Sequence, residues 1–295
     1  MTNNIFKTKI GLALGGGAAK GIAHVGVLRA LEDTKIPISF IAGTSVGAIV
    51  AALYAFNVDV TKIGELARRL TLSKVTNFRL SKTGFFSTDS LRLLMLEYLG
   101  EANIEDAAIP LAIVTTDISS GEEVVLTKGS VAEAVCASSA IPGIYVPVTI
   151  EGRKLVDGGL LQNVPVLPLR EMGAQFTIAS HLYSVNSYSQ PNHALDIIRN
   201  AFEIAINAHT NIQLEEADLI FAMDLSDFSL RDNTHRYDEL FGIGYNTATE
   251  KLTKLGWYHR TSFFFHLSRI IKLMAPFRSR LLNKKQSSIG SQNRF

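Results

Sequence analysis

Among 295 residues there is a single cysteine, Cys136, so no intrachain disulfide and no cysteine-rich metal site can form. That scarcity fits a reducing compartment, and no metal or cofactor is expected. Long uninterrupted hydrophobic runs are also missing. The stretch 40–56 is nearly free of charge, but Gly43, Thr44, Ser45 and Gly47 interrupt it. It falls short of the roughly 18 apolar residues of a membrane span, and a buried strand–turn–helix accounts for it better. A secretory leader is not expected, because Lys7 and Lys9 precede only the short run Ile10 to Leu14 before a block of glycines. Disorder is excluded by a 47% hydrophobic fraction and a net charge of only +2.

Acidic residues are absent after Glu250. Ten of the 29 basic residues fall in that last stretch, leaving 19 to face all 27 acidic ones. A mildly acidic body thus carries a basic tail, which suits an anionic partner such as a membrane surface.

Within the body, apolar runs and helical periodicities alternate. Strands are expected at 9–14, 36–42, 111–115, 123–126, 176–180 and 219–223. Helices are expected at 18–32, 46–56, 59–70, 91–99, 130–138, 195–209 and 237–255. Residues 73–86 show no clear period and read as a surface loop, with a cover over a site as the sharper alternative. The alternation predicts one α/β domain over 9–255 with a largely parallel sheet.

The motifs lie where strands turn into helices. Gly43-Thr44-Ser45-Val46-Gly47 has a strand before it and a helix after it, the context that gives G-x-S-x-G its meaning. The sharp turn pushes Ser45 out of the sheet and tolerates only small residues two positions either side. A helix N-terminus there also aims free N–H groups at developing negative charge. Gly15-Gly16-Gly17, followed by Lys20 and Gly21, is a glycine-rich strand-to-helix turn of the kind that cradles anions. A P-loop requires Gly-Lys-Ser/Thr, and Lys20 precedes Gly21 instead. A dinucleotide fingerprint requires another glycine spacing and an acidic residue after the next strand. An oxyanion hole built from amides is the third reading. Asp157-Gly158-Gly159 on its own is an ordinary turn.

In this order and spacing the three motifs resemble the patatin-like phospholipase family. Three further segments resemble its compact bacterial branch: Ile22-Ala23-His24-Val25-Gly26-Val27-Leu28, Ser138-Ser139-Ala140-Ile141-Pro142-Gly143 and Asp224-Leu225-Ser226. The resemblance runs from about Lys9 to Leu255. It implies a three-layer α/β/α sandwich that cleaves lipid carboxylic esters, without a metal, through a Ser–Asp dyad and an acyl-enzyme. Ser45 would be the nucleophile and Asp157 the base. Gly16, Gly17 and Ala18 would supply the oxyanion hole, with Gly15, Lys20, Gly21, Gly43, Gly47, Gly158 and Gly159 shaping the turns. Ala18 stands where the family usually has a glycine, at a cost if its φ is positive. An aspartate is a weak base at its ordinary pKa, so a dry site must raise its basicity. His24, early on the first helix, is the histidine nearest to a triad position, with a packed structural role as the blander reading. Asp117 is read as a strand-end turn residue.

Beyond the resemblance, residues 256–285 combine aromatics with Arg269, Lys272 and Arg280 in a basic amphipathic pattern, interrupted by Pro276. It reads as a membrane-interface segment, with docking on the protein's own surface or a second subunit as the competing reading. Residues 286–295 are expected to be disordered. The sequence thus leads us to expect a phospholipid or other acyl-ester substrate, peripheral membrane contact, no nucleic-acid partner, and a cytoplasmic protein at the inner membrane face. A thioesterase using the same dyad, or a membrane-binding scaffold without catalysis, are the alternatives.

Overall fold

The computed structural model describes residues 8–69, 77–78, 83–183, 190–228 and 233–255. Residues 9–251 form one compact unit. The expected amphipathic segment 256–285 and tail 286–295 lie outside the described residues.

The chain runs β1 (Ile10–Leu14), α1 (Ile22–Asp33), β2 (Phe40–Thr44), α2 (Val46–Ala55), α3 (Val60–Arg69), β3 (Asn77–Phe78), β4 (Phe86–Ser87) and α4 (Asp89–Leu99). It continues through β5 (Leu111–Asp117), β6 (Glu122–Leu126), α5 (Val131–Ser138), β7 (Val148–Ile150), β8 (Arg153–Asp157) and α6 (Val166–Glu171). The last described elements are β9 (Phe176–Tyr183), α7 (Ala194–Glu215), β10 (Leu219–Asp224) and α8 (Tyr237–Lys254). The main sheet has the order β10-β9-β1-β2-β5-β8-β7, with β6 pairing β5. From β10 to β5 the neighbours are parallel; β6, β8 and β7 are antiparallel additions.

Strands covered on both faces should be apolar throughout, and β1, β2 and β5 are buried along their whole length. The two faces are not alike. Ala13, Ala42, Ala112 and Ala179 pack with Val166 and Leu169 of α6 in one apolar cluster. A Cβ on Gly11 would lie 3.0 Å from the Cβ atoms of Leu169 and Ala174, so small residues let α6 approach closely. Bulkier Leu12, Leu14 and Ile41 alternate with those small residues and are fully buried.

Several boundaries depart from the sequence reading; α7, expected at 195–209, runs on to Glu215, and β9, expected at 176–180, runs on to Tyr183. The strand expected at 36–42 occupies Phe40–Thr44. Pro37 cannot donate to a ladder, and parallel pairing with β5 carries the strand on to Thr44. The helix expected from residue 18 begins as a 3-10 turn, Ala18–Gly21, before α1 starts at Ile22. A short antiparallel ladder, Asn77↔Ser87 and Phe78↔Phe86, stands within a stretch read as loop.

Candidate active site

Sheet register assembles the site. Leu14 of β1 is level with Gly43 of β2, and Thr44 of β2 with Val114 of β5. The glycine loop follows Leu14 directly, Ser45 follows Thr44, and Thr115, next after Val114, pairs with Asp157 of β8. Three sequence-distant motifs therefore converge because four strands are in one register, and a one-residue slip would turn each side chain to the other face.

Ser45 sits between β2 and α2 at φ 55° and ψ −125°, outside the comfortable regions for an L-residue. Such a conformation costs on the order of 1–3 kcal/mol and persists only when its surroundings over-determine it. They do. A Cβ on Gly43 would meet the Gly47 carbonyl at 2.5 Å, and one on Gly47 would meet the Leu14 carbonyl at 2.1 Å. Both glycines are needed for α2 to start this close to β1 and β2. The Ser45 amide donates to Ser138 Oγ at 2.9 Å, and the Ser138 hydroxyl donates to the Val114 carbonyl at 2.7 Å. Thr44 Oγ1 donates to the Gln162 carbonyl at 2.9 Å, tying β2 to the segment after Asp157.

Asp157 ends β8 and is 2% exposed. Its carboxylate accepts the Gly159 amide at 2.8 Å, and the Ser45 hydroxyl lies near enough to favour its charged form. Burial pushes its pKa up from 3.8 to about 7, against the pull of the Gly159 amide and the Ser45 hydroxyl, and the neighbouring Glu203 charge adds to the rise. A Cβ on Gly158 would lie 2.4 Å from the Val114 carbonyl, so only glycine lets this turn approach β5 so closely.

The glycine loop is held at several points. Gly15 N donates to the Ser180 carbonyl at 3.0 Å, and Gly16 N is shared between the Asn163 carbonyl and Oδ1, both at 3.2 Å. A carbonyl can only accept, so the His24 ring donates from Nε2 to Gly15 O at 2.8 Å. Nδ1 is then left to accept the Ser180 hydroxyl at 2.8 Å. Of the three amides read as an oxyanion hole, that of Gly16 is engaged by Asn163. Those of Gly17 and Ala18 meet no protein acceptor among the described residues. Ala18 does have positive φ, 51°, which costs about 1–2 kcal/mol relative to a residue in a right-handed region.

Both nitrogens of His24 are thus committed to the loop and β9, and burial lowers its pKa to about 4, keeping the ring neutral. Its role is structural. Asp117 pairs with Arg153 Nε at 2.8 Å and accepts the Ser119 amide at 2.9 Å, a strand-end turn as expected.

From Ser45 an apolar cavity of about 130 Å³ runs between α2, α3 and α4, walled by Ile49, Leu53, Ile63, Leu66 and Leu91. Ala18 and Ser45 both border it, so the end of the glycine loop and the serine share one space.

Lys20, noted only as a motif residue, is 4% exposed, with Glu203 and Asp224 in electrostatic reach. Burial lowers its pKa and those two carboxylates oppose the fall. Glu203 on α7 was missed by the sequence reading. Burial raises its pKa while Lys20 and Arg199 hold it down. Ser138, Asn163 and Ser180 were quoted or passed over without a role, because each acts through a partner far away in sequence.

A family model described as patatin-like phospholipase matches residues 12–170, just over half the chain and all three motifs. The chain belongs to the patatin-like phospholipase family. Among curated relatives of this patatin-like chain, a lysophospholipase NTE1 of Pyricularia oryzae is 33% identical over 183 residues, covering 60% of this chain and 12% of that protein. An uncharacterized NTE family protein of Mycobacterium bovis is 34% identical over 177 residues, covering 59% of this chain and 49% of that one. The chain therefore spans under half the length of either. The solved structure of VipD from Legionella pneumophila superimposes with a TM-score of 0.58 at 14% identity, over 84% of this chain and 67% of that one. That likeness shows the α/β/α fold, with the central sheet between helical layers.

Proposed function

We propose that this patatin-like protein hydrolyses carboxylic esters of lipids, with Ser45 as nucleophile and Asp157 as general base. The observation carrying the reading is the Ser45 hydroxyl close to a carboxylate that is 2% exposed and whose pKa burial pushes up to about 7. Ser45 Oγ attacks the acyl carbonyl while its proton passes to Asp157, so no free alkoxide forms. The carbonyl oxygen gains charge against the Gly17 and Ala18 amides; one such donor is typically worth about 3–4 kcal/mol in the transition state. Asp157 returns the proton to the leaving alcohol, then takes one from the water that attacks the acyl-enzyme. The fatty acid departs and Ser45 is regenerated.

A lipid substrate is supported by the apolar cavity at Ser45 and by the lysophospholipase name of the Pyricularia relative. Contact with a lipid surface is supported by α7, whose residues 204–214 carry no Asp, Glu, Lys or Arg. Ile197, Ile204 and Ile212 lie exposed on one face of that helix at 59%, 56% and 65%. The basic segment 256–285 would add attraction to anionic lipid. Among the described residues, no helix is long and apolar enough to cross a membrane.

The test is a serine-directed fluorophosphonate with the modified residue mapped by mass spectrometry, alongside fatty-acid release from phospholipid liposomes. The label is expected on Ser45, and release is expected to stop in proportion to labelling. A folded protein that is labelled elsewhere, or that is fully labelled yet still releases fatty acid, would refute the reading.

The base also fixes a pH dependence. Only ionised Asp157 accepts a proton, so kcat/KM on a soluble ester should fall about tenfold per pH unit below about 7 and level off above it. Glu203→Gln removes a nearby negative charge and should move that limb to lower pH. A limb that stays in place would show that Glu203 does not influence Asp157.

A further inference from the structure

The chain leaving α5 holds both members of the proposed dyad. Ser138 Oγ accepts the Ser45 amide at 2.9 Å, and the Ala140 carbonyl accepts the Asp157 amide at 2.9 Å. Ser139 stands between these two anchors. Its backbone is satisfied: the amide donates to the Val135 carbonyl at 3.1 Å, and the carbonyl accepts the Ile141 amide at 3.2 Å. Its hydroxyl is not. That buried oxygen meets no hydrogen-bond partner among the described residues. Ser139 also lines the cavity that starts at Ser45, whose walls are otherwise apolar apart from Thr88 and Tyr145.

An unpaired buried hydroxyl destabilises a fold, so its presence calls for a role. The walls supply no partner for it, and a partner must come with whatever fills the cavity. In a lipid ester the oxygens brought nearest to Ser45 are the two of the ester group itself. The mechanism above gives the carbonyl oxygen to the Gly17 and Ala18 amides. The bridging oxygen must come within reach of Asp157 to receive its proton, and Ser139 belongs to the segment that holds Asp157.

We propose that Ser139 positions the substrate by donating its hydroxyl hydrogen to the bridging oxygen, and thereby selects oxygen esters over thioesters. The proposal rests on the ester-hydrolase reading above and adds which carboxylic derivative the site favours. The C–O bond breaks with its electron pair going to the bridging oxygen, which takes its proton from Asp157, while Ser139 keeps its own. Charge builds on that oxygen as the bond breaks, so the contact is stronger in the transition state than in the bound substrate. Sulfur is a weak acceptor, and a thioester in the same pose leaves the hydroxyl unpaired.

The experiment measures fatty-acid release from a monoacylglycerol and from its 1-thio analogue with the same acyl chain, in mixed micelles of fixed composition. Wild type and Ser139→Ala are compared as full chains, and the ratio of two substrates within one preparation cancels the amount of active enzyme. Ser139→Ala is expected to lower kcat/KM about tenfold on the oxygen ester and less than about twofold on the thioester. It should also melt no lower than wild type, because it removes a group that the fold leaves unpaired. Equal losses on both substrates, or no loss on either, overturns the selection and leaves the hydrolase standing. A variant melting well below wild type overturns it as well, since the hydroxyl would then be bonded within the fold. Ser45-dependent turnover of p-nitrophenyl acetate alone has the same meaning. No Ser45-dependent turnover of any of the three esters overturns the hydrolase reading itself.

Discussion

Ser45→Ala, Asp157→Asn and the double substitution are expected to share one residual rate on soluble esters, about 10⁴-fold or more below wild type. Two groups that move a single proton act as a unit, so removing the second after the first removes little more. Additive losses, or an Asp157→Asn enzyme within tenfold of wild type, would show that another group deprotonates Ser45. Neither nitrogen of His24 is available for that task.

The same Asp157→Asn change has an opposite effect on stability. The carboxyl ionises at 3.8 in the unfolded chain and at about 7 in the fold. The folded state thus holds the proton more tightly, and stability falls as pH rises from about 4 to about 7. Above that window the fold bears the whole cost of a buried charge, at most about 4 kcal/mol. Asparagine keeps the Gly159 hydrogen bond without the charge. Thermal melts should show the variant several degrees above wild type at pH 8 and level with it near pH 4. A variant melting below wild type at pH 8 would mean that Asp157 is better solvated than its burial indicates.

Gly244→Ala is expected to cost the fold about 3 kcal/mol or more, although it places a better helix former in α8. Propensity alone favours alanine by about 1 kcal/mol. Against it, a Cβ at Gly244 would lie 1.9 Å from the Ala23 carbonyl, and one at Gly26 would lie 2.1 Å from the Phe241 carbonyl. At these two glycines α1 and α8 touch backbone to backbone, so no rotamer change relieves the overlap and the helices must separate. Urea denaturation would read the loss as a lower midpoint with little change in slope. Residual activity should fall further than the folded fraction, because α1 also carries the His24 that holds Gly15. A variant as stable as wild type would mean that the two helices part at little cost.

Much of this molecule was legible in its sequence because the relevant signals are local. The order of strands and helices follows from apolar runs and periodicities, and Gly43-Thr44-Ser45-Val46-Gly47 reports its own turn. Gly26 was quoted only as part of a motif; that its missing side chain makes room for α8 depends on a helix near the other end of the chain. The same holds for Ser138 beneath the Ser45 amide and Asn163 on Gly16. Glu203 sits on a helix whose pattern predicts a helix and nothing of what its inner face meets. Short-range periodicity carries no information about such pairings. The start of α1 was misplaced for a related reason. A Cβ on Gly21 would lie 2.2 Å from Val46 Cγ2, a packing constraint from α2 that no local propensity reveals.

The sequence distance between Ser45 after β2 and Asp157 at the end of β8 has a consequence for the life of the chain before it is finished. The turn at Ser45 can form as soon as β1, β2 and α2 have been made, but the carboxylate proposed to accept the serine proton arrives on β8, more than a third of the chain later. Contacts spanning such distances form late in folding. Under the proposed mechanism, a nascent chain displays its serine beside lipid without attacking it. Capture of Ser45 by a fluorophosphonate during synthesis or refolding is then expected to time the docking of β8, with the proposed lipolytic activity appearing only when the sheet is complete.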